Sequence, residues 1–164
     1  MKEKSIELLN KAVADELSAF HQYMYFHFHC DDQGYDLLAN LFKRSAIDEM
    51  MHVEQLAERI LFLKGEVELA ASDEVKKIHK VRDMLDSACQ LEMAAIKDYN
   101  KWAIECAQNA DSVTKQLFEA LVADEEQHFD KFDTEMENIE KFGESYLALQ
   151  SIERSKSMGT ASAE

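Results

Sequence analysis

A chain of 164 residues with no proline, four glycines and three cysteines is long enough to bury one core unaided, and its scarcity of chain breakers disfavours a turn-rich architecture. Its 33 acidic against 18 basic residues give a formal charge of −15, which repels nucleic acid and attracts cations. Cys30, Cys89 and Cys106 stand far apart in no CxxC pair, which argues against a disulfide framework or a zinc ribbon and suits a reducing compartment.

The charged start, Met1-Lys2-Glu3-Lys4-Ser5, carries no apolar signal core, and no later apolar run is long enough to span a bilayer. A cytoplasmic, soluble protein without membrane or nucleic-acid partners is therefore expected. A first helix is expected from Lys4 to Asp31. At about 100° per residue, Leu9, Ala12, Val13, Phe20, Tyr23 and His27 share a face with Glu16, so this glutamate points inward. Leu17, His21, Met24 and Phe28 form a second stripe, more apolar surface than one core needs, which suggests a subunit contact.

Asp31-Asp32-Gln33-Gly34 reads as a tight turn that makes the next helix, Tyr35 to Lys64, an antiparallel neighbour closed by Gly65. Its inward stripe is Leu38, Phe42, Glu49, Val53, Leu56, Ile60 and Leu63, with His52 one turn on. Residues 65–80 lose the stripe and read as a crossover along the bundle, with Ser72 a candidate N-cap for some helix in its second half. That returns the chain so that a third helix starts parallel to the second. This helix, ending near Asn109, gathers Val81, Leu85, Ala88, Ala95, Ile96, Tyr99, Ala103 and Cys106 around Glu92. A fourth, Val113 to Phe142 behind a cap at Asp111 or Ser112, gathers Phe118, Leu121, Phe129, Phe132, Met136 and Ile139 around Glu125. A short fifth helix over residues 144–153 and a frayed tail from Arg154 complete an all-α, single-domain four-helix bundle covering residues 1–164.

Glu49-Met50-Met51-His52 has a twin in Glu125-Glu126-Gln127-His128, and Glu49 follows Glu16 by the same 33 residues by which Glu125 follows Glu92. A lone Glu-x-x-His is commonly a solvated pair. Two copies, each behind an inward glutamate, place four carboxylates and two imidazoles in one core, where uncompensated charge is costly. Two divalent cations would balance the four charges, and mixed carboxylate and imidazole ligands suit iron, manganese or zinc better than calcium or magnesium. One glutamate from each of two helices and a Glu-x-x-His from each of the others is the known arrangement of ferritin-like carboxylate proteins. Tyr23 shares the stripe of Glu16, so it is a candidate redox or hydrogen-bonding neighbour of the metals or a packing residue.

Ala14-Asp15-Glu16-Leu17 with Gln22-Tyr23, Ser45 to His52, Arg59 to Gly65, and Asp124 to His128 resemble bacterioferritin over nearly the whole chain. The resemblance implies a ferritin-like bundle that assembles from two-fold dimers into a hollow twenty-four-subunit cage and stores iron as a ferric mineral. It implies that Glu16 and His52 bind one iron and Glu92 and His128 the other, with Glu49 and Glu125 bridging. Such a ferroxidase passes two electrons from two Fe(II) to dioxygen or hydrogen peroxide. The resemblance also implies haem between two subunits, held by Met50 of each; Met50 without haem would be a dimer-packing methionine. Phe20, His21 and Met51 depart from the family pattern nearby. Arg44 replaces a histidine that helps iron at the inner surface in some members, while Asp48 is retained. An electron donor of ferredoxin type is the remaining expected partner. A non-storing di-iron oxidase or peroxidase of rubrerythrin kind competes but lacks its CxxC pairs, and a DNA-protecting mini-ferritin would favour a basic tail, which Arg154 and Lys156 alone do not make.

Overall fold

Residues 2–161 are described by a computed structural model, and every regular element among them is a helix: α1 Lys2–Asp32, α2 Asp36–Phe62, α3 Val81–Gln108, α4 Ser112–Phe142 and α5 Glu144–Ala161. The four long helices form two hairpins, α1 with α2 and α3 with α4. Each hairpin turn needs one residue in the left-handed region to reverse the chain. Gly34 takes it after α1 at φ 85°, and Ala110 takes it after α3 at φ 56° despite its β-carbon. After α2 the expected terminator, Gly65, is not the residue that turns. Lys64 adopts φ 64°, and Gly65 is required for space, because a β-carbon there would lie 2.8 Å from Ile6 Cγ2.

The chain from Leu63 to Lys80 contains no helix, and Ser72 does not cap one, in contrast to the expectation. The segment instead lies as a strap along α1. Asn10 bonds the backbone at Glu66 and Glu68, Ser18 and Asp15 bond Ser72, Gln22 bonds both backbone groups of Lys76, and Gln33 bonds the carbonyl of His79. Asn10, Ser18 and Gln22 recur at multiples of four, so α1 offers the strap a polar ridge beside its apolar stripe. The strap runs from the first turns of α1 to its last, which delivers α3 parallel to α2.

The interior consists of two apolar clusters. One centres on Leu9, Val13, Leu56, Ile60, Trp102, Phe118 and Leu121, the other on Phe26, Leu38, Phe42, Met84, Leu85 and Phe132. Phe26 and Trp102 are buried although neither lies on the stripes expected from periodicity. The C-terminal helix extends past the expected end at Glu153. Arg154 donates to the Asp31 carbonyl at 2.7 Å and pairs with Asp36, and Gln150 is buried where its Oε1 accepts from Leu38 N–H, so this stretch is tied across the α1–α2 turn. Residues 162–164 of the expected tail lie outside the described residues.

Asp111 is the α4 cap. It accepts from the Thr114 N–H and hydroxyl and from Arg59 Nη2 at 2.8 Å, joining the C-terminal end of α2 to the start of α4. Burial raises its carboxyl, but Thr114, Ser5 and Arg59 outweigh that and hold it at about 2. The stability it contributes is present above the unfolded carboxylate range and lost as pH falls toward 2. Asp111→Ala should cost roughly 1–2 kcal/mol in denaturant unfolding at neutral pH, the usual worth of such a cap. A loss that persists undiminished at pH 2 would contradict this assignment.

Candidate metal centre

Between the two apolar clusters lies a polar layer. α1 supplies Glu16, α2 supplies Glu49 and His52, α3 supplies Glu92, and α4 supplies Glu125 and His128, each at most 3% exposed. The 3.6-residue period explains the delivery: glutamate and histidine three apart on one helix face the same side, and four such faces converge. Their ligand atoms fall into two groups, each within 4.8 Å of one another: Glu16, Glu49, His52 and Glu125, and Glu49, Glu92, Glu125 and His128. Glu49 and Glu125 belong to both groups.

The imidazoles turn Nδ1 inward. His52 Nδ1 lies 3.3 Å from Glu16 and Glu49 and 3.1 Å from Glu125; His128 Nδ1 lies 2.8 Å from Glu49 and 3.6 Å from Glu92. Their Nε2 atoms point outward and each meets an aspartate of the other hairpin, His52 to Asp124 at 3.1 Å and His128 to Asp48 at 3.0 Å. Such an outer carboxylate accepts a hydrogen bond from Nε2–H, which fixes the ring and leaves Nδ1 to act as a ligand.

Protons offset most of the negative charge of this layer, and Glu49 is the carboxylate that stays ionised: burial raises it, but hydrogen bonds from Glu16, His128 and His52 hold it at about 2. Burial, reinforced by the charge of Glu49, pushes Glu16 and Glu92 well above the usual carboxylate range, and burial with the charges of Glu16 and Glu49 pushes Glu125 up to about 7. Burial would depress the imidazoles, but the facing carboxylates prevail; they raise His52 far above its ordinary value and His128 to about 12. Several buried atoms still lack a well-directed hydrogen bond: Glu16 Oε2, Glu92 Oε2, Glu125 Oε1, which has only His52 Nδ1 at 3.1 Å, and the facing pair Glu49 Oε1 and His128 Nδ1, 2.8 Å apart but not aligned as donor and acceptor. Buried polar atoms are rarely left so, and orphaned atoms converging from four helices are what a divalent cation would satisfy.

All six metal-site residues anticipated from spacing are therefore brought together, whereas Met50 is not among them. It lies half exposed on the outer side of α2 between Ile47 and Met51, both also exposed. Asp48 and Asp124 were not anticipated in this role, nor was the hydrogen bond that Tyr99 donates to Glu16. A signal exists: each aspartate immediately precedes the glutamate of a Glu-x-x-His, and Tyr99 follows Glu92 by the interval at which Tyr23 follows Glu16. Asp124→Ala should weaken Co(II) binding at the His52 side roughly 10–100-fold, the usual cost of losing an outer partner. Equal affinity in variant and parent would remove that role from the aspartate.

Residues 6–142 match the ferritin-like domain family. The bacterioferritin of Desulfovibrio desulfuricans is 40% identical over 147 residues, covering 90% of this chain and 82% of that protein. The bacterioferritin of Brucella melitensis is 35% identical over 141 residues, covering 86% and 88%. The crystal structure of the D. desulfuricans bacterioferritin, described as showing its diiron site in different catalytic states, superposes with a TM-score of 0.89 at 39% identity, covering 92% of this chain and 88% of that one.

Proposed function

From the premise that this chain belongs to the ferritin-like family, as a bacterioferritin, we propose that it binds two Fe(II) in the buried layer, oxidises them and stores the ferric product. The observation that carries this reading is the pair of ligand groups sharing Glu49 and Glu125. Glu16 and His52 would complete one subsite, Glu92 and His128 the other, and the two shared glutamates would bridge. Iron supplies the redox chemistry, two electrons passing from two Fe(II) to dioxygen or hydrogen peroxide.

The chain's own contribution is positional and electrostatic. The four carboxylates would balance the charge of two divalent cations as the layer gives up its protons, and His52 and His128 would present Nδ1 while Asp124 and Asp48 hold Nε2–H. Two clefts reach the layer. One, between α1 and α3 beneath the strap, is lined by Asp15, Asp73 and Asp98 and suits cations; the other, between α2 and α4, is lined by Asp48, Asp124 and Lys131.

The ferritin-like domain takes in the whole chain, residues 1–164, and twenty-four copies build a cage from two-fold dimers. Support comes from the apolar residues left uncovered on the first hairpin, Phe28, Leu37, Ile47 and Met50. Met50 of each of two copies binds a haem, as its outward position permits, and a ferredoxin-type donor returns electrons for iron release. The location is cytoplasmic; no helix among the described residues is long and apolar enough to cross a membrane. Native mass spectrometry with iron analysis and a visible spectrum, after aerobic Fe(II) addition, tests these points together. The expected result is a large soluble particle with many irons per chain and a Soret band that disappears in Met50→Leu. Oxidation that stops at two irons per chain, in a small assembly, would favour the non-storing di-iron oxidase instead.

A further inference from the structure

The glutamates that belong to only one ligand group, Glu16 and Glu92, each receive a hydrogen bond from a buried phenol. Tyr23 of α1 donates to Glu92 Oε1 of α3 at 2.6 Å, and Tyr99 of α3 donates to Glu16 Oε1 of α1. Both rings are at most 1% exposed, and each is rooted in a different apolar cluster, Tyr23 against Phe42 and Phe132, Tyr99 against Trp102 and Phe118. Each tyrosine follows the glutamate of its own helix by two turns and reaches the glutamate of the other. The second oxygens, Glu16 Oε2 and Glu92 Oε2, are among the unpartnered atoms of the layer. The phenol therefore engages one oxygen of its carboxylate and leaves the other free for a cation.

We propose that Tyr99 is a positioning residue of the metal centre, the counterpart of Tyr23, and that it sets the affinity of the Glu16/His52 subsite by holding Glu16 with one oxygen toward the metal. This rests on the ligand assignment made above. Because the two phenols are wired crosswise and alike, the two subsites are matched in affinity, and removing one hydroxyl unbalances them. A tyrosine that merely filled space and satisfied its own hydroxyl would contribute to melting temperature without distinguishing one subsite from the other.

The test is an anaerobic Co(II) titration of the metal-free protein, read from the visible d–d bands, with melting temperature measured alongside. The parent should bind two Co(II) per chain with affinities within about tenfold of each other. Tyr99→Phe, which keeps the ring stacked on Trp102 and Phe118, should weaken one of the two roughly 10–100-fold. Combining it with His128→Ala, which leaves the Glu16/His52 subsite, should preserve that loss; combining it with His52→Ala should abolish it. Unchanged affinities in Tyr99→Phe, or an equal loss in both histidine backgrounds, overturns the proposal. A parent that binds no Co(II), or histidine variants that bind two as the parent does, overturns the ligand assignment and this proposal with it. Should Tyr99→Phe fail to fold, the parent titration decides: matched sites support the proposal and sites that differ by more than tenfold overturn it.

Discussion

Glu125→Gln should lower the initial rate of Fe(II) oxidation by more than about 100-fold, since an outer partner of a metal ligand is already worth up to about that and Glu125 stands in both ligand groups. The metal-free chain should tolerate the change. Glutamine keeps the volume of the side chain, and the carboxylate it replaces is disfavoured by burial and by the charges of Glu16 and Glu49, which push it up to about 7. Loss of one member of a crowded carboxylate set removes repulsion as well as attraction to His52, so the apo melting temperature should stay level or rise slightly. Stopped-flow oxidation and thermal unfolding of the same preparations read the two effects separately. Glu126→Gln, one residue along on the exposed side of α4, is the control and should leave the rate unchanged. Fast oxidation surviving in Glu125→Gln would dismiss the shared-ligand arrangement.

Metal loading should stabilise the fold, and the gain should grow with pH. A ligand present at one hundred times its dissociation constant adds about 2.7 kcal/mol per site, provided the unfolded chain does not bind it. The direction with pH follows from the raised proton affinities. Glu125, ordinarily near 4.5, titrates at about 7 in the folded chain, so its contribution to apo stability is complete below 4.5 and lost as pH rises through 7. His128, ordinarily near 6.5, is raised to about 12, and its contribution is lost over the higher window between those values. A cation must displace those protons, so acid weakens its binding and alkali strengthens it. Melting temperatures with and without Co(II) at pH 6 and pH 8, together with a pH-indicator assay for released protons, measure this. A metal-induced gain equal at the two pH values, with no protons released, would refute the exchange of protons for metal.

The fold was legible because its determinants are local and periodic. A 3.6-residue apolar stripe needs no knowledge of its neighbour, and glutamates such as Glu16 and Glu92 inside such a stripe are costly enough to announce a compensating ligand. What escaped the sequence depends on which element faces which. Tyr23 shares a stripe with Glu16 but bonds Glu92 on another helix, because its hydroxyl reaches beyond the face that its α-carbon occupies. Tyr99 was visible only as a core position, although its hydroxyl meets Glu16. Ser72 carries a capping signal, yet Asp15, Ser18 and the Ala14 carbonyl claim its hydrogen bonds first, and no helix starts there. Arg154 reads as the start of a polar tail, and only the position of the α1–α2 turn explains why the helix continues through it.

The crosswise pairing of the outer residues bears on the order of folding. Within a hairpin, contacts are close in sequence and form early, whereas the four bonds that steady the metal layer from outside it, Tyr23 to Glu92, Tyr99 to Glu16, His52 to Asp124 and His128 to Asp48, each join one hairpin to the other. Neither hairpin alone holds a complete ligand group, because each group draws residues from both. Each ligand group is therefore completed only when the hairpins dock, and a nascent or half-unfolded chain presents at most part of either. Redox competence is in this way confined to the finished molecule.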